Sequence, residues 1–349
     1  MEKEFSNMYD FIFITHLPAF YKINLYNEIS KNFKIMVIFI SSTSKIRNSN
    51  FTDANIKFSF KIINNVNFEE RNKFKSTIKL IKLLYSFRYK EVVLGGWDLI
   101  EFWFITAINK KNKIALSLES SIFDSSTTGL KKVTKKIFLS RINKVYCSGK
   151  PHKMLLEALN YSGQCIITKG VGLLNWKEIR STREENSFNN KFIYVGRLSP
   201  EKNLNFLVSY FSKRPHLRLS IIGDGPSKNE LIAISSENIS YYGYINNKNV
   251  GEYLLSHDAF ILPSISEPWG LVVEEALYYG LPIICSNKIG SSIDFVSDLK
   301  SGYIFNINDE NSLDEVIQKL GNEYSNILSN VRKIDFDKIR QHQIRSYNV

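Results

Sequence analysis

Short runs of β-branched and aromatic residues recur along the whole chain, separated by longer segments of mixed polarity. The runs are nearly continuous in hydrophobicity, which is typical of strands buried on both faces of a parallel sheet. The segments between them are long enough for the crossover helices that parallel strands require. The predicted strands lie at 11–14, 35–40, 58–63, 92–94, 114–118, 145–147, 192–195, 217–222, 239–242, 259–262, 283–285 and 303–305. This alternation predicts an α/β architecture.

A chain of 349 residues is too long for one ordinary core and fits two domains. A polar, aperiodic stretch at 176–190 interrupts the alternation and predicts an interdomain linker. We therefore expect two Rossmann-like, doubly wound domains that face each other across a cleft, at 1–175 and 191–330. Residues 331–349 are expected to form a tail or helix that could pack back on the first domain.

Charge is distributed unevenly between the two halves. Residues 1–175 contain 27 Lys and Arg against 13 Asp and Glu, whereas the remainder contains 19 against 21. The first half therefore carries the whole positive excess, which favours a polyanionic partner such as an acidic membrane leaflet, a phosphate-bearing acceptor or a nucleic acid. A solvated face that aids solubility is the alternative interpretation.

Two basic amphipathic helices are predicted in the first half, at 67–90 and 130–141. In the first, Phe74, Ile78, Ile81 and Leu84 form one apolar stripe among lysines. Such helices either lie on membranes or pack their stripe on a sheet. No stretch has the roughly 18 to 20 apolar residues of a membrane span, and 97–108 predicts a buried helix instead.

Cysteine is scarce and unpatterned. Cys147, Cys165 and Cys285 show no CxxC spacing, so we expect neither a disulfide framework nor a structural zinc site. The N-terminus lacks a basic region before its short apolar run, unlike a signal peptide. These features predict a cytoplasmic protein, with peripheral attachment to the inner face of the membrane as a further option.

Two glycine-containing loops follow predicted strands of the second half, where open α/β sheets bind ligands. In the first loop, Gly196 opens a turn, and Arg197 and Lys202 follow five residues apart. Two cations near one strand end can bind a diphosphate, although both could also simply face solvent. The second loop, GDGP at 223–226, is as compatible with a structural turn as with a ligand contact.

The segment 258–280 carries the strongest functional signal. Glu267 lies in a loop after a predicted strand, Gly270 opens a helix and Gly280 closes it. The backbone N–H groups of Gly270, Leu271 and Val272 have no partner inside the helix, and such helix ends favour phosphate. Glu275, about one turn further, can accept two hydroxyl hydrogen bonds as ribose requires. Its neighbour Glu274 is expected to be an exposed helix residue.

These motifs resemble the retaining nucleotide-sugar glycosyltransferases of family 4, which have the GT-B fold. Two glutamates, Glu267 and Glu275, have the E-x7-E spacing of that family. The matching segments, in order, are GRLSPEKN at 196–203, GDGP at 223–226, YYGYI at 241–245, EPWGLVVEEA at 267–276, GLPIICSNKIG at 280–290 and SGYIF at 301–305. Together they cover nearly all of 190–310.

The resemblance implies roles for individual residues. Arg197 and Lys202 would contact the donor diphosphate, Glu275 the ribose, and Glu267 the transferred sugar. The N–H groups of Gly270 and Leu271 would bind the distal phosphate. The remaining donor contact, against the nucleobase, would come from Gly243 and Tyr244.

The first half resembles the family less closely, through HLPAFYKINLYNEIS at 16–30, a segment similar to a bacterial surface-polysaccharide subset. Where many relatives carry a catalytic-domain histidine after a later strand, this chain has Glu119, Ser120 and Ser121. We predict Glu119 as the polar group beside the anomeric carbon, with His16 as second choice. A structural role for His16 is equally compatible with the sequence.

The resemblance implies retaining transfer of a hexose-type sugar from a nucleotide diphosphate to a glycan acceptor, expected to be lipid-linked, in surface polysaccharide or lipopolysaccharide synthesis. It implies no cofactor and no metal, because two cations can replace a divalent ion. An anionic membrane surface is an expected partner, and nucleic acid is not. The alternatives are a nucleotide-sugar epimerase or hydrolase on the same fold, and a non-catalytic sugar or polyanion binder.

Overall fold

The computed structural model describes residues 8–45, 55–175 and 187–348. The chain divides into two compact units. Unit 1 comprises Met1–Asn175 and Asp337–Val349, and unit 2 comprises Trp176–Phe336. Most of the predicted linker at 176–190 lies outside the described residues.

Unit 1 is built on a seven-stranded parallel sheet in the order β3-β2-β1-β4-β5-β6-β7. The strands are β1 Met8–Thr15, β2 Ile35–Thr43, β3 Ser59–Asn67, β4 Arg88–Leu94, β5 Ile114–Leu118, β6 Lys144–Cys147 and β7 Gln164–Ile167. The strand order reverses between β1 and β4, which is where open α/β sheets place their ligand crevice.

Helices cover both faces of this sheet. They are α1 Phe20–Ile29, α2 Lys73–Tyr85, α3 Ile100–Ile108, α4 Gly129–Ser140 and α5 Lys150–Ala158. Helices α2 to α5 pack on one face, and α1 packs on the other. The final helix, α11 Phe336–Arg345, also packs on the α1 side: Arg340 pairs with Glu28 at 3.1 Å and Tyr347 stacks on Tyr146 at 4.5 Å between ring centroids.

Unit 2 repeats the plan with six parallel strands in the order β10-β9-β8-β11-β12-β13. The strands are β8 Lys191–Val195, β9 Arg218–Ile222, β10 Ile239–Gly243, β11 Ala259–Leu262, β12 Ile283–Ser286 and β13 Gly302–Phe305. The helices are α6 Leu204–Ser212, α7 Lys228–Ala233, α8 Asn247–Leu255, α9 Leu271–Tyr278 and α10 Glu310–Arg332. Both sheets therefore have the doubly wound order predicted from the alternation of runs.

Several local predictions differ from the structure. The helix predicted at 67–90 is shorter, because β3 extends to Asn67 and β4 begins at Arg88. The helix also buries Leu80 and Leu84 and leaves Phe74 and Ile78 exposed, so the predicted stripe is split between core and solvent. Strand β7 was not predicted.

The helix predicted at 97–108 is only partly buried. It begins at Ile100, and its residues Ile100, Phe104 and Ile108 are exposed. No helix in the described ranges has the length and apolar character needed to cross a bilayer.

Candidate active site

The two glycine loops of unit 2 are joined to each other directly after β8 and β9. The Gly196 N–H donates to the Ile222 carbonyl at 3.0 Å, and the Leu198 N–H donates to the Asp224 carbonyl at 2.9 Å. Gly223 has a φ of 141°, and a Cβ there would lie 1.8 Å from the Gly196 carbonyl oxygen. A glycine is therefore needed at position 223 for this close packing, which supports a structural role for the GDGP loop, and a ligand contact by the same loop stays a prediction.

Arg197 and Glu201 form an exposed ion pair at the end of β8. Their closest atoms, Nη2 and Oε1, are 2.7 Å apart, and the Ser199 hydroxyl donates to the same oxygen. Burial works to raise the pKa of the Glu201 carboxyl, but hydrogen bonds from Ser199 and Arg197 outweigh it and lower the pKa to about 2. The guanidinium is thus held at the strand end and remains accessible to an anion.

Lys202 and Glu267 form a second ion pair, which joins the Gly196 loop to the loop after β11. The two side chains are 65 positions apart in sequence and both are largely buried. A backbone hydrogen bond of 3.0 Å from the Ile265 N–H to the Glu201 carbonyl supports the contact. Two residues predicted separately from sequence are therefore brought together.

The start of α9 lies beside this ion pair. A Cβ placed on Gly270 would lie 3.3 Å from Cγ of Glu267. Gly270 is the residue before the helix and has a φ of 89°, a left-handed conformation that glycine adopts without strain. Among the described residues, none accepts a hydrogen bond from the N–H of Gly270, Leu271 or Val272. Unpaired donors of this kind and the positive end of a helix dipole favour an anion, and here they lie next to Lys202.

The loop that carries Glu267 is fixed by a neighbouring segment. The Gly290 N–H donates to the Glu267 carbonyl at 2.9 Å, and the Ser291 N–H donates to the Trp269 carbonyl at 2.9 Å. A Cβ on Gly290 would lie 1.7 Å from the Pro268 carbonyl oxygen, so this close approach of the two loops requires a glycine at position 290. The Glu267 carboxylate is therefore positioned by backbone contacts on both sides.

The prediction that Glu274 is an exposed helix residue is wrong. Its side chain is buried, and the Trp269 indole N–H donates to its Oε1 at 2.6 Å. Burial raises the pKa of the Glu274 carboxyl to about 8, although the indole hydrogen bond opposes the shift. Glu274 is therefore a core residue that supports the Trp269 loop.

Glu275 has a different environment on the same helix. Its side chain is partly exposed, and burial raises the pKa of its carboxyl to about 7. No hydrogen bond to Glu275 is formed by a side chain in the described ranges. A desolvated carboxyl of this kind is ready to accept hydroxyl donors from a ligand.

Gly243 and Tyr244 lie at the end of β10, next to the GDGP loop. The Gly223 N–H donates to the Gly243 carbonyl at 2.8 Å, and Gly243 has a φ of 68°. The Tyr244 side chain is exposed. These contacts place the predicted base-binding segment beside the loops at the ends of β8 and β9.

Unit 1 has a cavity of about 320 Å³ at the carboxyl ends of β1 and β5. It is lined by both residues predicted there as catalytic, His16 and Glu119, and also by Lys22, Phe68, Glu69 and Ser44. The lining therefore combines hydrogen-bond donors and acceptors with an aromatic ring, a combination that suits a polyhydroxylated ligand.

Each predicted residue of this cavity has a partner that the sequence did not reveal. His16 Nε2 lies 2.8 Å from Asp98 Oδ2, and Lys22 Nζ lies 2.6 Å from Glu119 Oε1. Burial works to lower the pKa of the buried Lys22 amine, but Glu119 outweighs it and raises the pKa above the usual range. The catalytic roles of Glu119 and His16 stay predictions. Their partners Lys22 and Asp98 are further candidate functional residues of this cavity.

No group of three potential ligands is close enough to hold a metal ion within the described ranges of the chain. The three cysteines are free, and Cys147 and Cys165 lie on neighbouring strands with their Sγ atoms 3.0 Å apart.

Comparison with known proteins relates unit 2 to one family. Residues 176–333 match the model of the family "Glycosyl transferases group 1". The sulfoquinovosyl transferase SQD2 of Arabidopsis thaliana is 36% identical over 121 residues, which are 34% of this chain and 24% of that protein. The alpha-monoglucosyldiacylglycerol synthase of Acholeplasma laidlawii is 37% identical over 128 residues, 34% of this chain and 32% of the relative. The chain thus spans about a quarter to a third of the lengths of these relatives.

Comparison of structures extends the likeness to the whole chain. The crystal structure of HepE from Anabaena in complex with UDP has a TM-score of 0.71 at 12% identity, covering 97% of this chain and 99% of that one. At such low identity the likeness shows the fold alone. The predicted fold class, two Rossmann-like domains of the GT-B type, is confirmed, and the similarity to the group 1 glycosyltransferase family covers residues 176–333 of this chain.

Proposed function

We propose that this protein is a retaining glycosyltransferase that moves a hexose-type sugar from a nucleotide diphosphate to an acceptor hydroxyl. The observation that carries the proposal is the contact of Lys202 with Glu267 beside the N–H groups at the start of α9, which have no acceptor among the described residues. This arrangement offers a cation and backbone donors to a phosphate, and a carboxylate to a sugar, within one small region of unit 2.

In this proposal the donor diphosphate rests at the start of α9. Its distal phosphate accepts hydrogen bonds from the N–H groups of Gly270, Leu271 and Val272, and Lys202 and Arg197 supply positive charge. The acceptor oxygen bonds to the anomeric carbon while the bond from that carbon to the phosphate oxygen breaks. The acceptor proton passes to the departing phosphate oxygen, so no side-chain base is required. Both cations stabilise the charge that grows on the diphosphate.

The rest of the donor is assigned to the neighbouring loops. Glu275 accepts hydrogen bonds from both ribose hydroxyls, and the Gly243–Tyr244 segment lies against the base. Glu267 accepts hydrogen bonds from hydroxyls of the transferred sugar and also keeps Lys202 in position. Lys202 and Arg197 neutralise the charge of the diphosphate, so we expect turnover to need no divalent ion.

The ionisation of Glu275 predicts a pH-dependent donor affinity. With a pKa of about 7, the carboxyl is mostly protonated at pH 6 and mostly ionised at pH 8. Only the ionised carboxylate can accept one hydrogen bond on each oxygen from the two ribose hydroxyls. The affinity for the donor should therefore fall roughly tenfold as the pH drops from 8 to 6. Titration calorimetry with a nucleotide sugar measures this, because a substituted diphosphate does not itself titrate in that window.

The matched control for this effect is Glu275→Gln, which keeps the shape of the side chain and removes the titration. Its donor affinity should be weaker at pH 8 and nearly constant between pH 6 and pH 8. An unchanged pH dependence in Glu275→Gln would show that another group controls donor binding.

For the acceptor we propose the unit 1 cavity and a lipid-linked glycan. The carboxylates, hydroxyl and aromatic ring that line the cavity suit sugar hydroxyls and a sugar face. The Acholeplasma relative is named as a synthase of monoglucosyldiacylglycerol, which supports an acceptor carried on lipid. Surface polysaccharide or glycolipid synthesis is the corresponding process.

The reaction is tested by incubating the protein with UDP-, GDP- and dTDP-linked hexoses in the presence of EDTA, with and without polyprenyl-diphosphate-linked glycans. Mass spectrometry should detect one donor that is consumed only with acceptor, together with an acceptor heavier by one hexose. Epimerised donor, or acceptor-independent hydrolysis at the full rate, would favour the other enzymes on this fold. If the protein bound none of these nucleotides, a non-catalytic sugar or polyanion binder would be the one alternative left.

A further inference from the structure

Three neighbouring helices of unit 1 expose apolar stripes instead of burying them. On α2 the stripe consists of Phe74, Ile78 and Tyr85, on α3 of Ile100, Phe104 and Ile108, and on α4 of Leu130, Val133 and Ile137. Spacings of three, four and seven residues place each set on one side of its helix. Phe74 is 68% exposed and Leu130 81% exposed, so these side chains stand clear of the core.

The three helices form one continuous layer on the same face of the sheet. Helices α2 and α3 contact each other, and α3 is joined to α4 by the ring contact of Trp103 with Phe138, at 5.1 Å between centroids. Arg141, directly after α4, donates to the carbonyl oxygens of Thr106 and Asn109 at 3.3 Å. The three stripes therefore belong to one outer surface, here called the α2–α4 face.

The charge on this face is of one sign. Exposed lysines flank the stripes at positions 73, 75, 79, 82, 131 and 136. The only acidic residue of the three helices is Glu101, which is buried and paired with Arg71 at 2.9 Å. Apolar side chains ringed by unopposed positive charge are typical of helices that lie in a membrane interface.

We propose that the α2–α4 face docks on an anionic lipid bilayer. The apolar side chains would enter the boundary between headgroups and acyl chains, and the lysines would contact anionic headgroups. This inference is independent of the proposed reaction, because lipid binding needs neither donor nor acceptor.

Other occupants fit the face less well. A second copy of the chain would bring the two lysine rings against each other, which costs free energy. A nucleic acid would use the positive charge, but it would gain little from stripes made mainly of aliphatic side chains, since base stacking needs aromatic rings. The bilayer is the partner that uses both components of the face.

Vesicle flotation of the whole protein tests the proposal. We expect binding to vesicles of equimolar phosphatidylglycerol and phosphatidylcholine and much weaker binding to pure phosphatidylcholine. Raising the salt from about 0.1 M to about 1 M should weaken binding, because it shortens the Debye length from about 10 Å to about 3 Å.

Two sets of substitutions separate the apolar and electrostatic contributions. Replacing Phe74, Ile78, Leu130 and Ile137 together by serine should reduce partitioning roughly tenfold or more. In a second variant the lysines at 75, 79, 131 and 136 become glutamine, which should reduce partitioning roughly fivefold per lysine and abolish most of its salt dependence. All eight side chains are exposed, so the fold should be retained.

The matched control is Ile232→Ser with Ile234→Ser, two exposed apolar residues of unit 2. It should bind vesicles as the unmodified protein does. The proposal is overturned if the unmodified protein does not float with anionic vesicles, or if the serine variant floats equally well. It is also overturned if the protein is a dimer that the serine variant converts to a monomer, because the face would then be an interface between copies.

Discussion

Replacing Lys202 by alanine is expected to lower turnover about a thousandfold, the scale seen when one preorganised donor to a developing oxyanion is removed. The Lys202 ammonium is held by Glu267 in a largely buried position next to the N–H groups of α9. Alanine removes the cation and leaves the Glu267 carboxylate facing the same region as the donor phosphates. Steady-state kinetics with the donor and acceptor found by mass spectrometry measure the loss.

The matched control is Lys213→Ala, a cation of the same unit whose side chain is 66% exposed and 3.8 Å from Glu310. It should keep full activity. Far-UV circular dichroism should show a native fold for both variants, since Lys202 ends a single 3-10 turn, Pro200–Lys202, outside the sheet and the α-helices. If Lys202→Ala kept more than about a tenth of the turnover, the assignment of this residue to the diphosphate would fail.

Replacing Glu274 by glutamine is expected to stabilise the protein at alkaline pH and to have little effect in acid. The buried carboxyl has a pKa of about 8 in the folded protein against an ordinary value of 4.5. As pH rises from 5 to 8, the unfolded chain loses this proton and the folded chain retains it, so the free energy of unfolding falls. Glutamine does not titrate and still offers an oxygen to the Trp269 indole.

The difference in unfolding free energy between Glu274→Gln and the unmodified protein should therefore grow by about 3 kcal/mol from pH 5 to pH 8. Urea unfolding at each pH measures it. Glu315→Gln, at an exposed position on α10, is the control for the loss of one carboxylate. A difference that stays constant with pH would mean that Glu274 is ionised in the folded state.

Much of unit 2 could be predicted because its candidate functional residues follow strand ends in short, glycine-containing loops. The strands were predicted from local hydrophobicity, and parallel strands bring their carboxyl ends to one edge, so Lys202 and Glu267 could be expected to approach each other. Glu274 could not be placed correctly, because its burial depends on the Trp269 indole. That ring folds back onto the helix it precedes, and helical periodicity does not reveal such a contact.

The pairs in the unit 1 cavity depend on strand order rather than on local sequence. His16 follows β1 and Asp98 follows β4, and these strands are neighbours only because the sheet order reverses between them. The two residues are 82 positions apart, so no spacing rule links them. The burial of Lys22 could not be predicted either, because a lysine on an amphipathic helix ordinarily faces solvent.

Helix α2 shows where periodicity is ambiguous. It carries apolar residues on two sides, and the sequence alone does not decide which set meets the sheet. The structure buries Leu80 and Leu84 with the small polar residues Ser76 and Thr77, and leaves Phe74 and Ile78 outside. Small side chains allow the helix to approach the sheet closely, and this packing leaves the larger stripe exposed.

A crystal structure with a bound nucleotide sugar tests most directly whether unit 2 holds the donor as proposed. We expect the distal phosphate within about 3 Å of the Gly270 and Leu271 nitrogens and of Lys202 Nζ, with the ribose hydroxyls on Glu275. A nucleotide bound elsewhere, or bound here with Lys202 and Glu275 turned away from it, would contradict the proposal.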